Sequence, residues 1–153
     1  KGVVKSLDEG SVAGYPVVDI RVVLYDGSSH PVDSSGMSFE IAGGYAFRKG
    51  LGLAQPVLLE PVMKAQVKVP DSFTGEVTGD LNTKRARILG MTPQDGYTTI
   101  DVEVPQAEML RYSTDLRSLT QGKGSFSLEF DHYDAVPAQV TQKITEEAKK
   151  AAS

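Results

Sequence analysis

The sequence predicts an α+β protein made of two successive units, and three observations carry that reading. Apolar residues alternate with polar ones in several short segments, which is the period of a half-buried strand. Between those segments apolar residues recur at four-residue spacing, the period of a helix with one buried face. After Pro56 the pattern changes and then repeats itself, which marks the start of a separate unit.

The first unit opens on a helix over residues 1–9, with Val3, Val4 and Leu7 at helical spacing and Gly10 placed to end it. Residues 16–25 read as a strand, because Val18, Ile20, Val22 and Leu24 alternate with Asp19, Arg21 and Val23. Asp26-Gly27 marks a turn. A second helix follows from Ser34 or Ser35, either of which can serve as N-cap, with Met37, Ile41 and Tyr45 stacked at four-residue spacing. Gly43, Gly44, Gly50 and Gly52 weaken it, so it is expected to lean on tertiary packing and to fray toward Gly50.

In the second unit Met63, Ala65, Val67 and Val69 face one side of a strand, and Lys64, Gln66 and Lys68 the other. Phe73, Val77 and Leu81 give a helix over residues 72–85, and residues 87–91 a short strand. After a turn at 93–96, Ile100, Val102 and Val104 mark a third strand. Pro105 then opens a helix carrying Met109, Tyr112, Ser113 and Leu116, which Gly122 and Gly124 break. Phe126, Leu128 and Phe130 give the last strand, and Pro137 precedes a polar, lysine-rich helix. Strand, helix, strand, strand, helix, strand is the βαββαβ order of ferredoxin-like domains. Both helices would cover one face of the sheet, leaving Lys64, Gln66, Lys68, Asp101, Glu103 and Glu129 on the other. That fold serves many unrelated functions and names none of them.

Composition narrows the function classes. The 153 residues are 40% hydrophobic and 24% charged, with a net charge of −4 and no cysteine. The absence of cysteine excludes disulfides, thiolate metal sites and cysteine nucleophiles. An acidic chain does not coat nucleic acid by bulk electrostatics, although it can meet RNA at a small site. Two basic groups stand out, Lys84, Arg85 and Arg87, and Arg111, Arg117 and Lys123. No apolar run is long enough to span a bilayer, and a cytoplasmic protein is the default. Gly122-Lys123-Gly124-Ser125 lacks the spacing of a phosphate-binding loop. His30 and His132 have no ligand-spaced carboxylates around them, so no metal site is expected. Ser34 and Ser35 beside His30 and Asp33 are explained by capping better than by a hydrolytic triad.

Several longer strings are more specific. Gly14-Tyr15-Pro16-Val17-Val18-Asp19-Ile20-Arg21-Val22, Leu24-Tyr25-Asp26-Gly27-Ser28 and His30-Pro31-Val32-Asp33-Ser34-Ser35 occur in that order. They are followed by Pro56-Val57-Leu58-Leu59-Glu60-Pro61, Gly79-Asp80-Leu81-Asn82 and Arg87-Ile88-Leu89-Gly90-Met91. Leu116-Arg117-Ser118, Thr120-Gln121-Gly122 and Asp131-His132-Tyr133 complete the set. Together they resemble elongation factor G, a translational GTPase family, over nearly the whole chain. Ser29, Gly36, Gly44, Tyr45, Lys49, Gly50 and Gln94 depart from the family pattern and keep an elongation-factor-G-like paralogue as an alternative.

The resemblance implies an incomplete βα unit of the family's fourth domain in residues 1–59, a ferredoxin-like fifth domain in 60–136, and a C-terminal helix, 137–153, returning toward the first unit. It implies a ribosome-binding region of a factor that promotes tRNA–mRNA translocation. The fragment itself is expected to be non-enzymatic and without cofactor, while GTP and magnesium belong to a GTPase domain upstream of Lys1 in the parent. Its expected partners are ribosomal RNA and the tRNA–mRNA at the decoding region, with neither membrane nor DNA. His30 and Asp33 correspond to the tip that enters the decoding region. Ser118 and Gln121 correspond to residues meeting the sarcin-ricin loop of the large subunit, with Arg117, Lys123 and Arg85 adding positive charge. Alternatives within the class are a ribosome-recycling paralogue and a ribosomal protection protein. The alternative outside it is a ferredoxin-like regulatory module that binds a ligand on its open sheet face.

Overall fold

The computed structural model describes residues 1–32 and 34–151. They form two units, one of residues 59–135 and one combining residues 1–58 with the segment from Val136 onward.

In the first unit α1 (Gly2–Glu9) packs on α2 (Gly36–Leu53). The contact depends on two small residues. A Cβ on Gly2 would lie 1.8 Å from the Glu40 carbonyl oxygen, and one on Gly44 would lie 3.2 Å from Oγ of the buried Ser6. Glu9 and Arg48 pair across the helices. Ser35 is the N-cap of α2, its hydroxyl accepting from the Ser38 amide at 3.1 Å. The helix does not stop at Gly50. It continues to Leu53, because Phe47 and Leu51 are buried and anchor its last turns.

The strand expected over residues 16–25 is absent. The segment runs without regular structure and its apolar side chains stay exposed, Val22 at 50% and Leu24 at 89%. Alternation prepares a strand to be covered on one face, but its backbone groups still need a neighbouring strand. Among the described residues the first unit contains no other strand. Among the described residues the expected incomplete βα unit is therefore two packed helices with no strand in the segment between them.

The second unit has the predicted order. β1 (Leu59–Pro70), α3 (Thr74–Thr83), β2 (Arg87–Gln94), β3 (Tyr97–Pro105), α4 (Tyr112–Leu119) and β4 (Ser125–Ala135) build a four-stranded antiparallel sheet in the order β2-β3-β1-β4. This is the ferredoxin-like topology. Short 3-10 turns at Asp71–Phe73 and Gln106–Met109 lead into the two helices, so the single helix expected after Pro105 is divided. Met109 and Tyr112 are both buried on either side of the break.

Ala65, Val67, Val69, Ile100, Val102 and Val104 from the sheet meet Val77, Leu81, Tyr112 and Leu116 from the helices in one core. Tyr112 is fully buried and packs edge-on against Phe126 with ring centroids 5.1 Å apart. The register places Lys64 beside Glu103 and Glu129, and Gln66 beside Asp101, on the opposite face. α5 (Ala138–Ala151) follows β4.

Candidate nucleic-acid interface

The turn after α4 brings four of the predicted RNA-contact residues together. Arg117 and Ser118 lie in the last turn of the helix, and Gln121 and Lys123 lie just beyond it; all four are exposed. The helix ends in a Schellman arrangement: the Gly122 amide donates to the Arg117 carbonyl at 2.8 Å. The residue at the left-handed position of this motif is usually glycine, yet here it is Gln121, with φ of 53°. Gly122 follows with φ of 80°, a conformation in which glycine is strain-free.

A buried threonine closes the turn. Thr120 is fully inaccessible; its hydroxyl donates to the Leu116 carbonyl at 2.7 Å and accepts from the Gly124 amide at 2.8 Å. Its own carbonyl accepts from the Lys123 amide at 3.0 Å. A Cβ on Gly124 would stand 2.8 Å from the Thr120 hydroxyl, so the chain can return this closely only as glycine. Sequence reasoning missed Thr120 as part of the site. The signal available was its spacing from Gly124 beside a helix end.

Among the described residues Gln121 has no hydrogen-bonding partner for its side chain. An amide held on a stiff backbone, able both to donate and to accept, suits recognition of a base edge. Arg117 and Lys123 flank it with charge suited to phosphates.

Arg85 is not part of this group. Its guanidinium donates to both carboxylate oxygens of Glu60, at 2.6 and 3.0 Å, and to Glu108 at 2.9 Å. These partners, Glu60 foremost, hold it far above the ordinary arginine range, against the opposing effect of burial. With two carboxylates on one half-buried guanidinium, Arg85 ties β1 to the 3-10 turn before α4 and offers no uncompensated charge to a phosphate. Lys84 is likewise engaged, by Asp115 at 2.9 Å and Asp80 at 3.6 Å. Arg87 pairs with Glu103.

Of the other two predicted RNA-binding residues, His30 lies in the segment before α2. His30 is exposed, and its amide donates to the Ser34 hydroxyl at 2.6 Å while its carbonyl accepts from the Ser34 amide at 3.1 Å. These reciprocal bonds join residues 30 and 34. Asp33 lies outside the described residues.

The open face of the sheet holds a shallow groove lined in part by Lys64, Gln66, Leu89, Asp101, Ser127 and Glu129. Its charges are largely consumed within the chain: Lys64 donates to Asp131 at 2.6 Å and Gln66 to Asp101 at 2.8 Å. No cluster of three metal-ligating side chains occurs among the described residues, and no helix there is long and apolar enough to cross a membrane.

Two family models match the chain in succession. Residues 1–55 match "Elongation factor G, domain IV", and residues 57–144 match "Elongation factor G C-terminus". Among solved structures, the crystal structure of a protein from Thermus thermophilus is similar at 41% identity with a TM-score of 0.81. The match covers 97% of this chain and 23% of that one, so the chain spans about a quarter of the length of its structural relative. With the C-terminus model matched over more than half of the residues, and the domain IV model over most of the remainder, the chain belongs to the elongation factor G family.

Proposed function

We propose that this chain is the ribosome-binding C-terminal region of an elongation-factor-G-like GTPase that promotes tRNA–mRNA translocation in the cytoplasm. In this reading, GTP and magnesium are bound by the parent's GTPase domain. The turn around Gln121 meets large-subunit RNA, and the loop carrying His30 and Asp33 enters the decoding region. The observation that carries the reading is Gln121 itself, an exposed amide in a left-handed conformation at the end of α4, flanked by Arg117 and Lys123.

The two kinds of contact have different signatures. A base contact contributes affinity at any salt concentration, whereas a phosphate contact contributes through counterion release. Titration of the chain with purified ribosomes at several salt concentrations separates them. Gln121→Ala should weaken binding by about 1–2 kcal/mol with the salt slope unchanged. Lys123→Ala should reduce the slope by about 0.7–0.9. Binding should be saturable and compete with elongation factor G; variants indistinguishable from the parent sequence would exclude the site.

The translocation step has its own test. His30→Ala in the parent should slow tRNA–mRNA movement while leaving GTP hydrolysis and thermal stability near their starting values. Normal translocation rates in that variant would favour the recycling paralogue.

A further inference from the structure

We propose that Thr120 is a positioning residue for RNA binding: its buried hydroxyl holds Gln121 in the orientation that the contact requires. This rests on the reading of Gln121 as the RNA-contacting residue. A glutamine in the left-handed region is strained relative to extended or helical backbone, and such a conformation persists only where its surroundings over-determine it. Here they do so from both sides. Before Gln121, the Thr120 amide and hydroxyl both donate to the Leu116 carbonyl, at 2.9 and 2.7 Å, fixing Thr120 to the helix. After it, the Gly124 amide donates to the same hydroxyl at 2.8 Å, fixing the returning chain.

One hydroxyl thus bridges the two ends of the three-residue loop 121–123. It belongs to a side chain with no access to solvent or ligand. Thr120 therefore cannot touch RNA, and any influence it has on binding passes through the loop. The Gly122–Arg117 hydrogen bond closes the helix end without it, so removing the hydroxyl should loosen the loop while the helix remains.

The test compares Thr120→Val, Thr120→Ser, Gln121→Ala and the double variant Thr120→Val/Gln121→Ala, all in the 153-residue chain. Ribosome affinity is measured at one high salt concentration, and thermal melting is followed in parallel. Thr120→Val preserves shape and deletes the hydroxyl, and should bind about tenfold more weakly. Thr120→Ser restores the hydroxyl and should bind within about twofold of the starting chain. At high salt, where the phosphate contact of Lys123 contributes least, the double variant should bind no more weakly than Gln121→Ala alone. A purely structural threonine would instead give losses that multiply. Should Thr120→Val fail to fold, Gly124→Ala, which displaces the hydroxyl from outside the loop, is judged by the same cycle.

Normal binding by folded Thr120→Val, or multiplicative losses in the double variant, would overturn the inference while leaving Gln121 as a contact. Normal binding by Gln121→Ala would remove the contact and the inference together.

Discussion

Arg85 and Gln121 occupy the same position past the ends of α3 and α4, with φ of 57° and 53°. In both, the following amide closes a Schellman bond, Ala86 to Leu81 at 3.1 Å and Gly122 to Arg117 at 2.8 Å. The two halves of the sheet-and-helix unit thus end their helices alike and then use the left-handed residue differently. Arg85 turns into the protein and binds Glu60 and Glu108; Gln121 stays exposed.

The structural role of Arg85 predicts a large effect on folding. Arg85→Ala leaves Glu60, with only 12% of its side chain exposed, without its bidentate partner. A hydrogen-bonded charge pair of this kind contributes about 2–3 kcal/mol, reduced toward the lower figure by the partial exposure of Arg85. Urea unfolding should show that loss, while the salt slope of ribosome binding should not change. A reduced slope with unchanged stability would place Arg85 among the proposed RNA contacts.

Gln121→Gly makes the opposite prediction. Glycine adopts a positive φ without the steric penalty that glutamine meets, so stability should rise by up to about 1 kcal/mol. Ribosome affinity should fall at least as far as in Gln121→Ala, because the side chain is gone and the loop is looser. A variant that is more stable and binds normally would show that the left-handed glutamine serves neither purpose.

How much was legible in the sequence follows from where each signal resides. The strands of residues 59–135 were readable because Val67, Ile100 and Phe126 sit on paired strands whose alternating faces have a core to cover. Val18, Ile20, Val22 and Leu24 alternate just as clearly, yet alternation records a face suited to burial and says nothing of whether a neighbouring strand is present. Arg85 looked like one member of a basic group because its carboxylate partners lie 25 and 23 residues away in sequence. The turn at 117–123 was legible as a candidate site only through the resemblance to elongation factor G. Thr120 bonds to backbone groups, so its spacing from Gly124 beside a helix end was the one sign of it in the sequence.

The close approach of α1 and α2 gives a third prediction. In Gly2→Ala the new methyl group would meet the backbone of Glu40, which cannot rotate away as a side chain would. Overpacking of this sort costs about 1–3 kcal/mol, or the helices separate. Hydrogen exchange should show faster opening of residues in both helices, with protection of the 59–135 sheet unchanged. Undisturbed exchange in α2 would mean that Gly2 is not a contact residue.

A final prediction concerns pH and the pair formed by Lys64 and Asp131. The hydrogen bond between them holds the Lys64 ammonium above the usual lysine range, with the charges of Asp131, Glu103 and Glu129 acting in the same direction and desolvation opposing them. The same bond, followed by that from His132, holds the Asp131 carboxyl below the usual aspartate range, again against desolvation. For Asp131, whose pKa is lower in the folded state, the stabilisation is present above the unfolded value and is lost as pH falls through the folded one. For Lys64, whose pKa is higher when folded, it is present below the unfolded value and is lost as pH rises through the folded one. The pair should therefore act between the two limits, from above the acid range of Asp131 to below the alkaline range of Lys64. Melting temperatures of the starting chain and Lys64→Met, measured across that span, should differ by a plateau at intermediate pH that contracts at both ends to a constant residual. A gap that stays constant as Asp131 is protonated would show that Lys64 contributes through packing of its aliphatic stem on the sheet rather than through the ion pair.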